Sequence, residues 1–250
     1  MSDKIEVYYF SPTGGTKKVS GIFVDAMEKE VIWHDLGSKK PMMEKPEGEM
    51  IVIAAPVFGG RIPSVVREKI EKLSGTGKKA VTIAVYGNRA YEDALLEMND
   101  ILMKCGFTVI ASGAFVAQHS MAPEVGAGRP DGEDEKEIHK FAESVKNSTA
   151  TENVHVPGNR PYKPELNMPV TPISLSSCTK CGKCVTICPT NAISVADGAV
   201  ITDTEKCILC MACTHVCTEQ ARIRPLPLQQ KTEQMLGALK SVRNKNEVFL

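Results

Sequence analysis

The sequence predicts an α/β domain with a five-strand parallel sheet and crossover helices, followed by a small domain built around cysteines. Three observations carry this reading. Strand-like and helix-like segments alternate over residues 1–148, which is how a parallel sheet with crossover helices reads in sequence. Proline, serine, threonine and asparagine then dominate a short stretch. Eight of the nine cysteines follow, all between positions 178 and 217.

Taken in order, the predicted strands are Ile5–Phe10, Val31–Trp33, Met50–Ala55, Ala80–Tyr86 and Val109–Val116. Between the first two, Val19, Ile22, Phe23, Ala26 and Met27 recur at the spacing of one apolar helix face. Val66, Ile70 and Leu73 form a second such stripe, Leu95, Met98, Ile101, Leu102 and Cys105 a third, and Ile138, Phe141, Ala142 and Val145 a fourth. Cys105 therefore reads as a small apolar packing residue. The stretch 149–172 includes Pro157, Pro161, Pro164, Pro169 and Pro172 and reads as a linker stiffened by proline. Residues 173–225 form the cysteine domain, and 226–250 a C-terminal tail with Leu236, Leu239 and Val242 on a weak helical stripe. That tail is expected to dock on a domain or on a second subunit, which makes a homodimer one candidate assembly.

Composition excludes several classes. With 30 Lys plus Arg against 30 Asp plus Glu, the chain lacks the basic excess that phosphate neutralisation requires, so no nucleic-acid partner is expected. No apolar run reaches the roughly 18 residues of a membrane helix, and no membrane association is expected. The opening MSDKIEVYYF enters a strand pattern at once, without the marks of a signal peptide, so the expected location is cytoplasmic. In a reducing compartment a dense cysteine cluster points to metal rather than to disulfides. No paired carboxylates, nucleophile elbow or zinc-protease motif is visible, which leaves hydrolysis without candidate residues.

The cysteines form two runs of one pattern, C-x-x-C-x-x-C-x-x-x-C: Cys178, Cys181, Cys184, Cys188, and Cys207, Cys210, Cys213, Cys217. In this pattern three closely spaced thiolates hold one corner of a cubane and the fourth reaches the other cluster. The assignment is Cys178, Cys181, Cys184 and Cys217 for one 4Fe-4S cluster, and Cys207, Cys210, Cys213 and Cys188 for the other. Two four-cysteine zinc sites are the competing structural reading, but zinc sites usually employ cysteine pairs, and a repeated third cysteine is awkward for two separate tetrahedra. The segment resembles the bacterial two-cluster ferredoxins, small α+β domains. Pro189 follows the first run as in that pattern, whereas Thr218 stands where the family often has proline; this departure removes no ligand. Since no ligand is missing, no open iron site is expected, and the clusters read as relays.

The first strand leads into Ser11-Pro12-Thr13-Gly14-Gly15-Thr16 and then a helix. Small residues let the backbone close around a phosphate, to which hydroxyls and helix N-terminal amides donate. Neither the P-loop nor the G-x-G-x-x-G pattern is present. SPTGGT resembles the phosphate-binding loop of flavodoxins, of the form S/T-x-T-G-x-T. That resemblance covers residues 1–148 and implies bound FMN, a doubly wound sheet of order 2-1-3-4-5, and a flavin at the carboxyl ends of the strands. Ser11, Thr13, Gly14, Gly15 and Thr16 would hold its phosphate. Two further strand-end loops, Pro56-Val57-Phe58-Gly59-Gly60 and Tyr86-Gly87-Asn88-Arg89-Ala90-Tyr91, would meet the ring, with Phe58, Tyr86 or Tyr91 as stacking candidates. His119, after the fifth strand, is a candidate proton or hydrogen-bond donor near the flavin. An ordinary hydrogen-bonded loop histidine is the plain alternative.

The whole chain resembles the flavodoxin-ferredoxin fusion proteins of anaerobic bacteria and archaea. The implied function is electron-transfer oxidoreductase: one-electron steps through two 4Fe-4S clusters coupled to FMN, between a low-potential donor and a redox partner protein or a small-molecule acceptor. A dedicated carrier and an enzyme that reduces a small molecule on the flavin are two forms of this reading. A redox sensor or adaptor, whose partner binding follows cluster state, is the alternative class.

Overall fold

The computed structural model describes residues 4–166 and 168–250. The first three residues of the expected first domain, and position 167 of the expected linker, lie outside the described residues.

β1 (Lys4–Tyr9), α1 (Gly15–Met27), β2 (Glu30–Asp35), β3 (Met50–Pro56), α2 (Ser64–Ile70), β4 (Lys79–Tyr86), α3 (Ala94–Lys104), β5 (Thr108–Val116) and α4 (Gly132–Lys146) alternate as expected. The five strands pair in parallel in the order 2-1-3-4-5. β3 and β4 are buried almost throughout and read as continuous apolar runs, whereas the edge strand β2 is largely open. Helices cover both faces. On one, Val19, Phe23, Ile138 and Phe141 of α1 and α4 pack with Val7, Val52 and Ile83. On the other, Val66 and Ile70 of α2 and Leu95, Met98 and Leu102 of α3 pack with Tyr8, Ile51 and Ile53. Cys105 caps α3 and packs partly against this second core, its thiol 3.5 Å from the Ile70 carbonyl. α4 begins at a capping box: Asp131 accepts from the amides of Glu133 and Asp134, and the Asp134 side chain accepts from the Asp131 amide.

The cysteine-rich region contains β6 (Ile173–Ser174), α5 (Lys183–Ile187), β7 (Ile193–Ala196), β8 (Ala199–Thr202), α6 (Ala212–His215) and β9 (Arg222–Ile223). β6 pairs antiparallel with β9, and β7 with β8 through the turn Asp197-Gly198, both at positive φ. The repeat seen in the sequence is a structural one: α5 and α6 each carry the third cysteine of a run.

Two features exceed the sequence reading. The tail folds as α7 (Leu226–Leu236), leaves the helix at Gly237 short of Val242, and ends in β10 (Glu247–Phe249). β10 pairs antiparallel with β5, so the sheet has six strands instead of the expected five. The proline-rich stretch is strapped down along its length. Val154 donates to the Val109 carbonyl at 2.8 Å, Asp93 accepts the amides of Asn159 and Lys163 at 2.8 and 2.7 Å, and Asp100 binds Arg160 and the Tyr162 hydroxyl. Among the described residues no helix is long and apolar enough to cross a membrane.

Candidate cofactor sites

At the carboxyl end of β1 the chain turns through Gly14, whose φ of 92° suits glycine and no other common residue. Ser11 Oγ accepts the Lys17 amide at 2.9 Å, and the Lys18 amide bonds the Gly14 carbonyl at 3.0 Å. The amides of Gly15 and Thr16 lie between these and have no acceptor among the described residues. The first turn of α1 holds no acidic side chain, and Gly14 has no side-chain cap. Free amides at the positive end of a 13-residue helix form a cradle for an anion. A β-carbon on Gly14 would meet nothing within 4 Å, so the space in front of the loop is open. Lys17 lies 5.4 Å from the Tyr9 ring centroid and 5.9 Å from that of Trp33, while Lys18 donates to the Pro130 carbonyl at 2.7 Å.

The other strand-end loops lie along the same sheet edge but differ in availability. Pro56, Val57, Phe58 and Gly59 are partly exposed, and Gly60 is buried against Glu92. Tyr86, Asn88 and Tyr91 are buried with their polar groups engaged by the tail: the Tyr86 hydroxyl donates to the Lys245 carbonyl at 2.5 Å, Asn88 Nδ2 to the Val242 carbonyl at 2.7 Å, and the Tyr91 hydroxyl to Glu247 at 2.6 Å. Arg89 pairs with Glu92. Gly87 stays partly exposed and backs onto His119, whose ring carbon would stand 2.3 Å from a β-carbon at that position. His119 Nδ1 accepts the Met121 amide at 3.1 Å, which puts the ring hydrogen on Nε2. Burial, then Arg224 and Arg89, push its pKa down to about 4, so the ring is neutral at pH 7.

In the cysteine-rich region Cys188, Cys207, Cys210 and Cys213 line one cavity, together with Ile208, Leu209, Met211 and Ala212. These are the four ligands assigned to one cluster, including the fourth cysteine of the other run. Burial first, and then the neighbouring Cys213, Cys188 and Cys207, push the Cys210 thiol up to about 12. For these buried thiols to ionise at neutral pH, a positively charged centre must stand among them. Cys178, Cys184 and Cys217 are partly exposed and Cys181 is exposed. Among the described residues no three His, Cys, Asp or Glu side chains gather at a point fit for a single metal ion. A cubane spreads its thiolates over four irons and has no need of such a point.

Sequence reasoning did not reach the groups that engage the loops from a distance. Asn244 and Asn246 bind the loop after β4 and the end of β5, and Arg224 donates to the Met121 carbonyl. The Arg61–Glu97 pair, 2.5 Å apart, anchors the loop after β3, and the Arg61 guanidinium lies 4.6 Å from the Tyr162 ring centroid.

Comparison with known proteins agrees with this division. Residues 171–194 and 204–220 each match a 4Fe-4S binding domain. An uncharacterised ferredoxin-like protein of Haemophilus influenzae is 36% identical over 67 residues, 24% of this chain and 78% of that protein. The polyferredoxin-like subunit of an aliphatic sulfonate oxidoreductase from Pyrococcus furiosus is 45% identical over 58 residues, 22% of this chain; the match spans 30% of that relative's length. Among solved structures, oxidised flavodoxin 1 from Bacillus cereus superposes with a TM-score of 0.45 at 18% identity, covering 58% of this chain and 99% of that one. A short-chain flavodoxin associated with a bacterial microcompartment gives 0.46 at 18% identity, covering 58% and 97%. At such scores the fold assignment rests on the strand order itself, 2-1-3-4-5, with the switch point between β1 and β3.

Proposed function

Because the chain belongs, through its two 4Fe-4S binding regions, to the ferredoxin-like proteins, we propose that it is an electron-transfer oxidoreductase pairing two 4Fe-4S clusters with FMN. The observation that carries the reading is the cavity lined by Cys207, Cys210, Cys213 and Cys188. Its members come from both runs, as cross-ligation of paired clusters demands. Cys178, Cys181, Cys184 and Cys217 hold the other cluster.

FMN is supported by the anion cradle at the β1–α1 turn, at the place where a sheet of this order takes its ligand. Gly15 and Thr16 amides, with the Ser11, Thr13 and Thr16 hydroxyls, would hold the phosphate. Pro56–Gly59 and Gly87 are the partly exposed positions open to the ring. Tyr86, Asn88 and Tyr91 shape that wall through the tail they bind. Bound FMN supplies one- and two-electron chemistry, whereas each cluster exchanges one electron. His119 Nε2–H is a fixed neutral donor in the loop that backs Gly87. Domain limits of 1–148 and 173–225, with cofactors in each, fit this division of labour; redox partner proteins and small-molecule acceptors are both compatible with it.

Anaerobic purification with iron, sulfide and flavin quantified on one sample tests the reading. About eight iron, eight sulfide and one FMN per chain are expected. Clusters without flavin would reduce the first domain to a docking or sensing module, and zinc in place of iron would overturn the electron-transfer function.

A further inference from the structure

The two cysteine runs share one backbone and differ in chemistry. The first reads Cys178-Thr179-Lys180-Cys181-Gly182-Lys183-Cys184, the second Cys207-Ile208-Leu209-Cys210-Met211-Ala212-Cys213. In both, the residues flanking the second cysteine take positive φ: Lys180 at 57° and Gly182 at 78°, Leu209 at 53° and Met211 at 62°. The loops therefore have the same shape, and their side chains report different surroundings. Met211 even occupies a left-handed position that the first run gives to glycine, a conformation that a side chain adopts at a cost unless packing offsets it.

That packing is visible. Cys210, Met211, Ala212 and Cys213 are buried, and Cys210 and Ala212 belong to the same apolar core as Ile62, Tyr91 and Leu95 of the first domain. Ile208, Val57 and Phe58 pack against that core as partly buried neighbours. The equivalent positions of the first run face outward: Cys181, Thr179, Lys180 and Lys183 are all exposed, with Ile187 beside them. Arg224 closes the contact from the other side by donating to the Met121 carbonyl in the loop after β5.

We propose that the two cluster sites have separate and ordered roles. Cys188, Cys207, Cys210 and Cys213 form the inner site, which exchanges electrons with the first domain of the same chain. Cys178, Cys181, Cys184 and Cys217 form the outer port, where an external one-electron carrier meets the protein. In each passage one electron leaves the carrier, crosses the outer and then the inner site, and arrives in the first domain, or makes the reverse journey; no bond is made or broken. This order rests on the cofactor content proposed above and adds the direction in space that the near-symmetric repeat alone does not define.

The test uses the full-length, anaerobically loaded chain and a soluble chelated dysprosium complex as paramagnetic relaxant. Cys217→Ser retains the inner cluster and Cys188→Ser the outer one, so the reduced signal of each is measured by electron paramagnetic resonance without the other. The outer signal is expected to relax several-fold more strongly with the relaxant than the inner one; equal or reversed sensitivity would overturn the assignment. Should either variant lose its fold, hydrogen exchange on the loaded natural chain decides the matter. Amides of residues 207–213 are expected to exchange at least several-fold more slowly than those of 178–184, and equal rates refute the order. A sample lacking iron or flavin refutes the proposed function instead, which separates the two failures.

Discussion

Asn88 and Asn244 bind each other twice: the Asn244 amide donates to Asn88 Oδ1 at 3.0 Å, and Asn244 Nδ2 donates to the Asn88 carbonyl at 2.7 Å. Asn88 is fully buried at a φ of 57°, a conformation asparagine adopts more readily than most residues. Its Nδ2 also serves the carbonyls of Leu239 and Val242. One side chain thus organises the return of the tail to the sheet. Asn88→Ala should cost about 1–3 kcal/mol through the polar groups it strands. Limited proteolysis should then cut near residues 239–246 before any other site. Unchanged protection of that segment would mean that the remaining contacts, β10 pairing and the bonds to Lys245 and Asn246 among them, hold the tail without Asn88.

The carboxylate of Glu97 is almost fully buried and receives Arg61 through two bonds, Arg67 at 3.2 Å and the Ile62 amide at 3.1 Å. Removing it takes the carboxylate from Arg61, which keeps only the Lys163 carbonyl as acceptor at 2.7 Å, and leaves Arg67 with Glu165 alone. Glu97→Ala should destabilise the chain by about 3 kcal/mol, read from chemical denaturation of the loaded protein. Because Arg61 follows the Gly59-Gly60 loop, flavin affinity should fall as well.

Burial lowers the His119 pKa to about 4 in the folded chain, against about 6.5 when unfolded. Between those values the unfolded state binds the proton that the folded state refuses. The stability contributed by the neutral ring is therefore complete above pH 6.5 and is lost as pH falls towards 4. Denaturation midpoints compared between the natural chain and His119→Asn should converge on acidification from pH 7 to pH 5. Parallel curves would place the ring in water.

At the β1–α1 turn, Gly14→Val forces a β-branched residue to a φ of 92° where space itself is free. The loop must deform, and FMN affinity should drop at least about tenfold, equivalent to about 1.4 kcal/mol. Thr13→Val should act in the same direction by removing one hydroxyl. Iron content should stay at the natural level in both, since the cysteine sites lie in the other region. Loss of iron together with flavin would show that the variants misfold.

Cys217→Ser should remove the cluster of the first run and spare that of the second. Cys188→Ser should do the opposite, because Cys188 lines the cavity of Cys207, Cys210 and Cys213. Iron analysis and the reduced-state spectrum of each variant check the pairing. Selective loss of the second-run cluster in Cys217→Ser would require each run to hold its own metal.

Much of this architecture was legible because its causes are local. A parallel sheet buried on both faces needs apolar strands and one-faced helices, and those periods are written into residues 5–145. Cluster ligands must lie a few residues apart to reach one cubane, so the spacing of Cys178 to Cys217 carried its own chemistry. The tight turn into α1 was equally readable, since Ser11, Gly14 and Thr16 lie within a single turn.

The sequence by itself determined the class of the sheet, its strand order and the presence of two 4Fe-4S binding regions. Only the tertiary structure decided that β10 completes the sheet, that residues 153–163 are strapped onto the first domain, and that the tail occupies Tyr86, Asn88 and Tyr91. It also decided which copy of the repeat faces inward. Contacts such as Asn88 with Asn244 join residues more than 150 positions apart and leave no period or spacing in the chain. The apolar Ile208, Leu209, Met211 and Ala212 marked one run as different, but their meaning depended on the surface they meet, and burial exists only once the domains have packed.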